Sequence, residues 1–257
     1  SLNGQVAAAL DGQPSAELRR VVDLQTRRAD GAFFTGVAMA NRVLRPTFST
    51  LNERSIVFDP ACGAGDLLVA CARHLPDGRD CAKTIALWGR RIFGRELHAE
   101  FVQAAKMRLA LAAWEARRGV LQEAFSRADI FPGITTGCGL ADVNMIRKAS
   151  HIVLNPPYSK MDAPENCTWG GGRVSAAACF LDHCVTNASV GTRIVAILPE
   201  VLRSGERYHR WRERVEQRAS VEQVQLLGQF DRWTDVDVFA LQLRVVEPNG
   251  KKRAGWV

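Results

Sequence analysis

Apolar residues along the chain recur with two different spacings, and each spacing predicts a different element. Short unbroken apolar runs, such as residues 56–58 and 152–154, are typical of strands buried in a sheet. Longer stretches with apolar residues at every third or fourth position, such as residues 97–117, are typical of helices that pack one face against a core. The chain therefore combines buried strands with amphipathic helices.

In chain order, the two spacings predict an alternation of helices and strands. Helices are expected at residues 14–29, directly after Thr35, and at residues 66–74, 97–117, 176–188 and 206–218. Strands are expected at residues 56–58, 87–94, 123–128, 152–154, 193–198, 221–227 and 236–246. Such alternation favours an α/β class, with a mainly parallel sheet that has helices on both faces. In sheets of this kind, ligands bind at the carboxyl ends of the strands.

Composition narrows the class of protein further. Hydrophobic residues make up 47% of the 257 positions, which is enough for a large core in one main domain. No stretch has the ~18 consecutive apolar residues of a membrane span, so a cytoplasmic protein is expected. The seven cysteines are never spaced as Cys-x-x-Cys and the five histidines are scattered, so neither a disulfide framework nor a metal site is expected.

The net charge of +7 favours a polyanionic partner, because lysine and arginine side chains that neutralise phosphates release bound counterions. Residues 203–218 contain six arginines together with Tyr208 and Trp211, a composition that suits a nucleic-acid groove. Three glutamates interleave with these arginines, so a solvated helix face with internal ion pairs is an equal alternative.

The first expected strand of the sheet ends at Asp59, and a turn with Gly63 and Gly65 follows before the next helix. Glycines at this spacing let the backbone approach a ligand closely, and the helix start offers free amide donors. A carboxylate at Asp59 would repel a phosphate but attract an ammonium group. The alternative is a tight turn that only connects a strand to a helix.

Two more acidic residues follow expected strands. Glu96 stands just past the second strand, where a carboxylate can accept hydrogen bonds from both hydroxyls of a ribose. Asp129 follows the third, where it could bond an adenine amino group while Ile130 and Phe131 sandwich the ring. Taken singly, each also fits an ordinary carboxylate at a helix start or in a loop.

The most specific motif is Asn155-Pro156-Pro157-Tyr158, which directly follows the apolar run at residues 152–154. Two successive prolines stiffen the loop and leave carbonyl groups free to point outward. The Asn155 side-chain oxygen and the Pro156 carbonyl can accept the two hydrogens of an amino group on an aromatic base, which frees its lone pair for attack. Tyr158 offers a face on which a flipped base can stack. A proline turn with a surface tyrosine is the alternative.

Residues 159–174 form a long expected loop that contains Lys160, Trp169, three successive glycines and Arg173. This composition suits a mobile segment that closes over a target base or a nucleic-acid backbone. A disordered connector is the alternative.

Four segments resemble, in the same order, motifs of the amino-methyltransferase branch of the class I S-adenosylmethionine-dependent family: residues 31–35, 59–65, 155–158 and 236–246. Within that branch, the chain is similar to adenine-N6 DNA methyltransferases of the restriction-modification type. The resemblance implies a Rossmann-like, seven-stranded, mostly parallel sheet with helices on both faces and an antiparallel last strand. It also implies S-adenosyl-L-methionine as the cofactor, DNA as the substrate, and a role such as phage defence.

The same resemblance implies roles for individual residues. The implied catalytic residues are Asn155, Pro156, Pro157 and Tyr158. The implied cofactor-binding residues are Phe33, Phe34, Thr35, Asp59, Pro60, Ala61, Gly63, Gly65, Glu96, Leu97, Asp129, Ile130 and Asn155. One position departs from the family: Gly36 stands where a proline usually follows the Phe-Thr pair, so this segment is expected to be less rigid.

The resemblance also suggests a domain organisation. Residues 1–45 are expected to form a helical segment that contributes to the cofactor site, residues 46–247 the methyltransferase domain, and residues 248–257 a tail or truncated linker, with no target-recognition domain. A separate or missing specificity element is therefore an expected partner. Two alternatives remain open: methylation of a protein glutamine amide or an RNA base, and a non-catalytic nucleic-acid-binding subunit.

Overall fold

Seven strands form one sheet in the computed structural model, which describes residues 2–10, 35–117, 130–231, 234–248 and 255–256. In chain order these strands are β1 (Val57–Asp59), β2 (Ile92–Glu96), β3 (Ile134–Thr136), β4 (His151–Leu154), β7 (Arg193–Pro199), β8 (Ala219–Asp231) and β9 (Thr234–Val245). Two further strands, β5 (Lys160–Asp162) and β6 (Arg173–Ser175), pair with each other as an antiparallel hairpin.

Across the sheet the strands lie in the order β3-β2-β1-β4-β7-β9-β8. The first five strands in this order are parallel to one another. Strand β9 is antiparallel to both β7 and β8. The chain continues from β1 to β2 on one side and from β4 to β7 on the other, so a crevice opens between them at the carboxyl ends of the strands. This arrangement confirms the expected α/β class, with a seven-stranded, mostly parallel sheet and an antiparallel last strand.

Helices cover both faces of the sheet. Within the described ranges they are α1 (Leu2–Leu10), α2 (Val37–Phe48), α3 (Asp66–Ala72), α4 (Cys81–Trp88), α5 (Ala99–Arg117), α6 (Val143–Lys148), α7 (Ala176–Asn187), α8 (Val201–Ser204) and α9 (His209–Arg218), with short 3-10 turns at Gly139–Ala141 and Glu206–Tyr208. On one face, α5 packs against α1, α3 and α4. On the other face, α7 packs between α6 and α9.

Each face of the sheet has its own hydrophobic cluster, and alternate residues of the central strands belong to one or the other. In β4, Val153 packs in the cluster with α3 and α5, whereas Ile152 and Leu154 pack in the cluster with α7. All three side chains are fully buried. Because both faces are covered, a central strand carries apolar residues at every position, which explains the unbroken apolar runs in the sequence.

The largest error among the predicted elements is the strand expected at residues 87–94. Residues 87 and 88 form the last turn of α4, and β2 begins only at Ile92. The sequence contains a start signal for that helix, because the Asp80 side chain accepts a hydrogen bond from the Lys83 amide as an N-cap. The helix expected at residues 14–29 and the strand expected at 123–128 lie outside the described residues, and β3 is absent from the predicted pattern.

Residues 159–174 contain the β5–β6 hairpin instead of a disordered connector. Trp169 is only 5% exposed and packs beside Tyr208, with ring centroids 6.5 Å apart. The Arg207 guanidinium donates a hydrogen bond of 2.7 Å to the carbonyl of Arg173 at the start of β6. A buried tryptophan and a backbone hydrogen bond thus anchor this glycine-rich segment, and the alternative of a disordered connector is wrong.

The seven cysteines all lie in the described part of the chain, and none of them forms a disulfide. The helices that the structure describes are all too short or too polar to cross a membrane. Within those same ranges, no cluster of histidine, cysteine and acidic residues has the arrangement of a metal site.

Candidate active site

The turn between β1 and α3 lies at the carboxyl edge of the sheet, where the strand order changes direction. Gly63 has a φ of 51° and Gly65 a φ of 84°, conformations that favour glycine. At Gly65 a Cβ atom would also lie 3.0 Å from the Cβ atom of Ala105, so α5 packs directly on this glycine. At Gly63 no atom lies within 4 Å of the corresponding position, which leaves the backbone open to a ligand.

A pocket lies between this turn, the end of β4 and the start of α2. It brings together five of the predicted site residues, namely Thr35, Asp59, Ala61, Gly63 and Asn155. Cys62, Ala64, Asp66 and Leu67 complete the lining. Four of the predicted cofactor residues and Asn155, the first residue of the predicted catalytic motif, therefore share one cavity, although they come from three separate segments.

Asp59 is the most perturbed acid in the pocket. It is 1% exposed, and burial raises the pKa of its carboxyl group to about 8. A hydrogen bond of 2.9 Å from the Ala61 amide acts in the opposite direction and lowers this pKa. The negative charges of Glu96 and Asp66 raise this pKa further. A carboxyl group in this environment ionises readily only when a cation approaches it, so the position suits a ligand with an ammonium group.

Glu96 ends β2 beside the same turn. Its Oε2 atom accepts a hydrogen bond of 3.1 Å from the Gly63 amide, and its Oε1 atom accepts one of 3.0 Å from the His98 amide. Each oxygen keeps a lone pair for a further donor, as the binding of two ribose hydroxyls requires. The next residue, Leu97, is 68% exposed and presents an apolar surface at the rim.

Asn155 directly follows β4, and both ends of its amide are hydrogen-bonded. Its Nδ2 atom donates to the Thr35 hydroxyl at 3.0 Å, and its Oδ1 atom accepts from the Tyr158 hydroxyl at 2.8 Å. The Tyr158 ring packs edge-on against Phe230, with centroids 5.9 Å apart, and burial raises the pKa of its hydroxyl, which therefore stays protonated and able to donate. Pro156 is buried beneath the loop, which fixes the backbone between the two side chains.

A buried ion pair supports the pocket from behind, and the sequence analysis missed it. The guanidinium of Arg108 donates to Asp66 Oδ1 at 2.8 Å, and the side chains of these two residues are only 3% and 6% exposed. The second oxygen of Asp66 accepts from the Gly36 amide at 2.9 Å. An available signal was the arginine itself, since Arg108 lies among the buried apolar positions of α5, where an unpaired charge would be unstable.

The carboxyl end of β3 adds a second unpredicted group to the rim. The Gly137 amide donates to the Glu96 carbonyl at 2.8 Å, which places the loop after β3 beside the acid that ends β2. A Cβ atom on Gly139 would lie 1.9 Å from the carbonyl oxygen of Pro60, so this loop packs directly on the β1 turn. Only a glycine allows that contact, which closes the side of the crevice next to Glu96.

Ile130 is a predicted cofactor residue that the structure does not bring to this pocket. It precedes β3, and its neighbour Phe131 lies near Gly89, at the amino ends of the strands. Ile130 packs against the core on that side. Phe33, Phe34 and Asp129, which complete the predicted cofactor set, lie outside the described residues.

The arginine-rich segment at residues 203–218 is largely engaged inside the protein. Trp211 is fully buried and Tyr208 is 6% exposed, so neither aromatic ring is available to a nucleic acid. Arg214 pairs with Asp182 at 2.6 Å, and Arg212 donates to two backbone carbonyls. Arg203 and Arg214 pair with acids outside this segment, Glu200 and Asp182. Within the described part of the chain, the contacts therefore support neither an aromatic-lined nucleic-acid groove nor ion pairs between these arginines and the glutamates among them.

A family model described as N-6 DNA Methylase matches residues 22–232. The match covers more than half of the chain and confirms the family resemblance carried by the sequence motifs. None of the curated proteins matches the chain.

Several solved structures of restriction enzymes are similar in fold. The M protein of the type I restriction enzyme EcoKI is 20% identical, with a TM-score of 0.62 over 84% of this chain and 44% of that protein. A Vibrio vulnificus protein described as a modification subunit of a candidate type I restriction enzyme is 18% identical, with a TM-score of 0.64 over 93% of this chain and 48% of that one. The type IIL restriction-modification enzyme MmeI, solved in complex with DNA, is 16% identical, with a TM-score of 0.63 over 91% of this chain and 40% of that one. The chain thus spans less than half the length of each of these proteins, and at these identities the likeness shows the fold.

Proposed function

Because the chain belongs to the N-6 DNA methylase family, we propose that it transfers the methyl group of S-adenosyl-L-methionine to the exocyclic amino group of adenine in DNA. The observation that carries this proposal is the shared pocket, in which Asp59 from the end of β1 and Asn155 from the end of β4 line one cavity. An acid suited to an ammonium group therefore lies close to an amide suited to an aromatic amine.

The residues around the β1 turn fit the cofactor. We assign the ammonium group of its methionine portion to Asp59, whose buried carboxyl has a raised pKa of about 8 and gains most from a cation. The ribose hydroxyls are assigned to Glu96, whose oxygens are already aligned by two backbone amides. Leu97 offers the exposed apolar surface on which the adenine ring of the cofactor can pack. When bound there, S-adenosyl-L-methionine supplies an electrophilic methyl group on sulfur.

The loop after β4 holds the target amine. The Asn155 Oδ1 atom and the Pro156 carbonyl accept its two hydrogens, which withdraws them from the plane of the base and frees the nitrogen lone pair for in-line attack. Oδ1 has two lone pairs, and the Tyr158 hydroxyl occupies one of them. As the nitrogen would gain the methyl group, the sulfur–methyl bond would break and leave a neutral thioether. A strong base is unnecessary, because the methylated nitrogen is acidic and can then release its proton to water.

We also propose that a separate specificity element selects the DNA site, and that the reaction serves restriction-modification or phage defence in the cytoplasm. Support for DNA as the partner comes from the family match and from the net charge of +7. Support for a restriction-modification setting comes from the structural likeness to proteins described in those terms.

The proposal is tested by titrating S-adenosyl-L-methionine into the chain in a calorimeter and then measuring transfer of a labelled methyl group to bacterial DNA. Transfer is measured with and without the proteins encoded next to this chain. Asn155→Ala should reduce the rate about 100- to 1,000-fold, the loss seen when one oriented group is removed from an active site. Asp182→Asn, which alters an ion pair with Arg214 away from the pocket, serves as the control and should keep wild-type activity. Absence of cofactor binding by the folded chain would contradict the proposal.

A further inference from the structure

We propose that Asp66 is a positioning residue for this reaction, which orients the Asn155 amide through the segment Thr35–Gly36. The inference rests on the proposed function, because the orientation of Asn155 matters only if it holds the target amine. Asp66 Oδ2 accepts a hydrogen bond of 2.9 Å from the Gly36 amide, and the preceding residue, Thr35, accepts one of 3.0 Å from Asn155 Nδ2. One dipeptide therefore connects a buried carboxylate on α3 to the loop that follows β4.

The orientation of the Asn155 amide decides whether the loop can hold an amine. The amide has an acceptor end and a donor end, and only the oxygen can bind the hydrogens of the target amino group. Thr35 accepts from the donor end, while the Tyr158 hydroxyl donates to the acceptor end at 2.8 Å. When the acceptor at Thr35 is removed, the observed orientation of the Asn155 amide loses one of its hydrogen bonds. The reversed orientation, in which the NH2 group faces the target amine donor to donor, is then less strongly disfavoured.

The conformation of Gly36 explains why this segment needs an external restraint. Gly36 has a φ of 72°, in the region that favours glycine, and glycine has the greatest backbone freedom of all residues. Proline could not provide rigidity here, because its φ is fixed near −65° and it lacks the amide hydrogen that Asp66 binds. The hydrogen bond to a buried carboxylate therefore replaces covalent stiffness at the position next to Thr35.

Arg108 fixes the carboxylate itself. In addition to Asp66, its guanidinium donates to the Ala64 carbonyl at 2.7 Å and to the Ala9 carbonyl at 3.1 Å. One oxygen of Asp66 is therefore assigned to Arg108 and the other to Gly36, so neither can shift without breaking a hydrogen bond in a buried site. This network therefore restricts the position of the Thr35 hydroxyl, which accepts the hydrogen bond from Asn155.

The test uses Asp66→Asn and Thr35→Val, alone and combined, in the complex that supports wild-type methyl transfer to bacterial DNA. Thr35→Val keeps the shape of the side chain without its acceptor, and Thr35→Ser restores the hydroxyl. We expect Thr35→Val and Asp66→Asn each to lower kcat about 10- to 100-fold at saturating S-adenosyl-L-methionine, where any change in the calorimetric Kd at these pocket-lining residues no longer limits the rate. Thr35→Ser should recover most of the rate, and the double variant should be no slower than the worse single one. Asp182→Asn makes the same chemical change in another Asp–Arg pair and should leave kcat unchanged.

Multiplied losses in the double variant would overturn the proposal, because they would show that the two residues act independently. A loss confined to cofactor affinity would assign Asp66 a contact with the cofactor instead, and an unchanged kcat would assign it only a structural role. If Asp66→Asn loses its cooperative thermal transition, the Thr35 variants decide: an unchanged kcat in Thr35→Val overturns the proposal. Absence of transfer by the wild-type complex contradicts the proposed function, and is thereby distinguished from a failure of this inference.

Discussion

Replacing Asp59 with asparagine should make the protein more stable at pH 8 and weaken its binding of the cofactor. Burial raises the pKa of the Asp59 carboxyl from its usual 3.8 to about 8. A group whose pKa is higher in the folded chain supports folding at low pH, and that support is lost as the pH rises through the folded pKa. The folded state therefore loses stability through Asp59 between about pH 4 and pH 8, by at most about 5 kcal/mol.

Asp59→Asn removes the ionisation but keeps most of the shape. The asparagine oxygen can still accept from the Ala61 amide at 2.9 Å, and the repulsion by Glu96 and Asp66 disappears. A buried NH2 group without a partner costs about 1–3 kcal/mol, which leaves a net gain of about 2–4 kcal/mol at pH 8. For a domain of this size, such a gain raises Tm by about 4–16 °C. At pH 5 the wild type has lost only about 2 kcal/mol of stability through Asp59, which the cost of the NH2 group offsets, so the gain should vanish.

Thermal unfolding of both proteins between pH 5 and pH 8 measures this effect, and calorimetric titration of S-adenosyl-L-methionine measures the functional cost. Loss of a charged hydrogen bond to the ammonium group should weaken binding about 10- to 100-fold at pH 8. Higher stability combined with weaker binding cannot arise from misfolding. Asp182→Asn changes an ion pair with Arg214 on the other face of the sheet. This variant should not become more stable than the wild type as the pH rises. A Tm difference for Asp59→Asn that stays constant from pH 5 to pH 8 would refute the reasoning.

Three further outcomes are expected. Gly65→Ala should lower the free energy of unfolding by about 1–3 kcal/mol in denaturant titrations, because φ is 84° and the new Cβ atom would lie 3.0 Å from that of Ala105. Tyr158→Phe should slow single-turnover methyl transfer by less than about tenfold, whereas Tyr158→Ala, which also removes the stacking surface, should slow it by about 10- to 100-fold more. Burial and the charge of Arg193 lower the pKa of His151 to about 4. His151 therefore supports folding above its usual pKa of 6.5, and this support is lost as the pH falls towards 4. In His151→Gln, the decrease in Tm between pH 7 and pH 5 should be smaller than in the wild type.

Most of the elements, and the position of the Asn155 motif directly after β4, could be predicted from the sequence because their signals are local. An unbroken apolar run is typical of a strand covered on both faces, and the motif at Asn155 follows such a run directly. The same locality explains the error at residues 87–94: the last apolar residues of α4 lie only a few positions before β2, so the two elements read as one apolar strand. The edge strand β3 has only three residues, of which only Ile134 is buried, so its pattern is too short to detect.

The position of Arg108 among the apolar residues of α5 indicates that it has a partner, but the sequence does not identify Asp66 as that partner, because the two residues lie 42 positions apart on different helices. Periodicity describes the neighbours of a residue along one element, whereas this contact depends on how α3 and α5 pack. The hydrogen bond from the Gly36 amide to Asp66 spans 30 positions, and it likewise depends on how separate elements pack. In the sequence, Asp66 looks like an ordinary acid at the start of a helix. Only the packing of the helices gives it a partner in the pocket.

Three acidic residues, Asp59, Asp66 and Glu96, lie around the β1 turn, and their different partners explain why a cation is expected to bind at Asp59. Asp66 is neutralised by Arg108, and Glu96 is held by two backbone amides. Among the described residues, Asp59 is held only by the Ala61 amide, although it is the most deeply buried of the three. Burial and the two neighbouring charges both oppose its ionisation, so a bound ammonium group lowers the energy of Asp59 more than that of either neighbour. The sequence predicts an ammonium group at Asp59 from its position before the turn, and the distribution of partners among the three carboxylates supports that proposal.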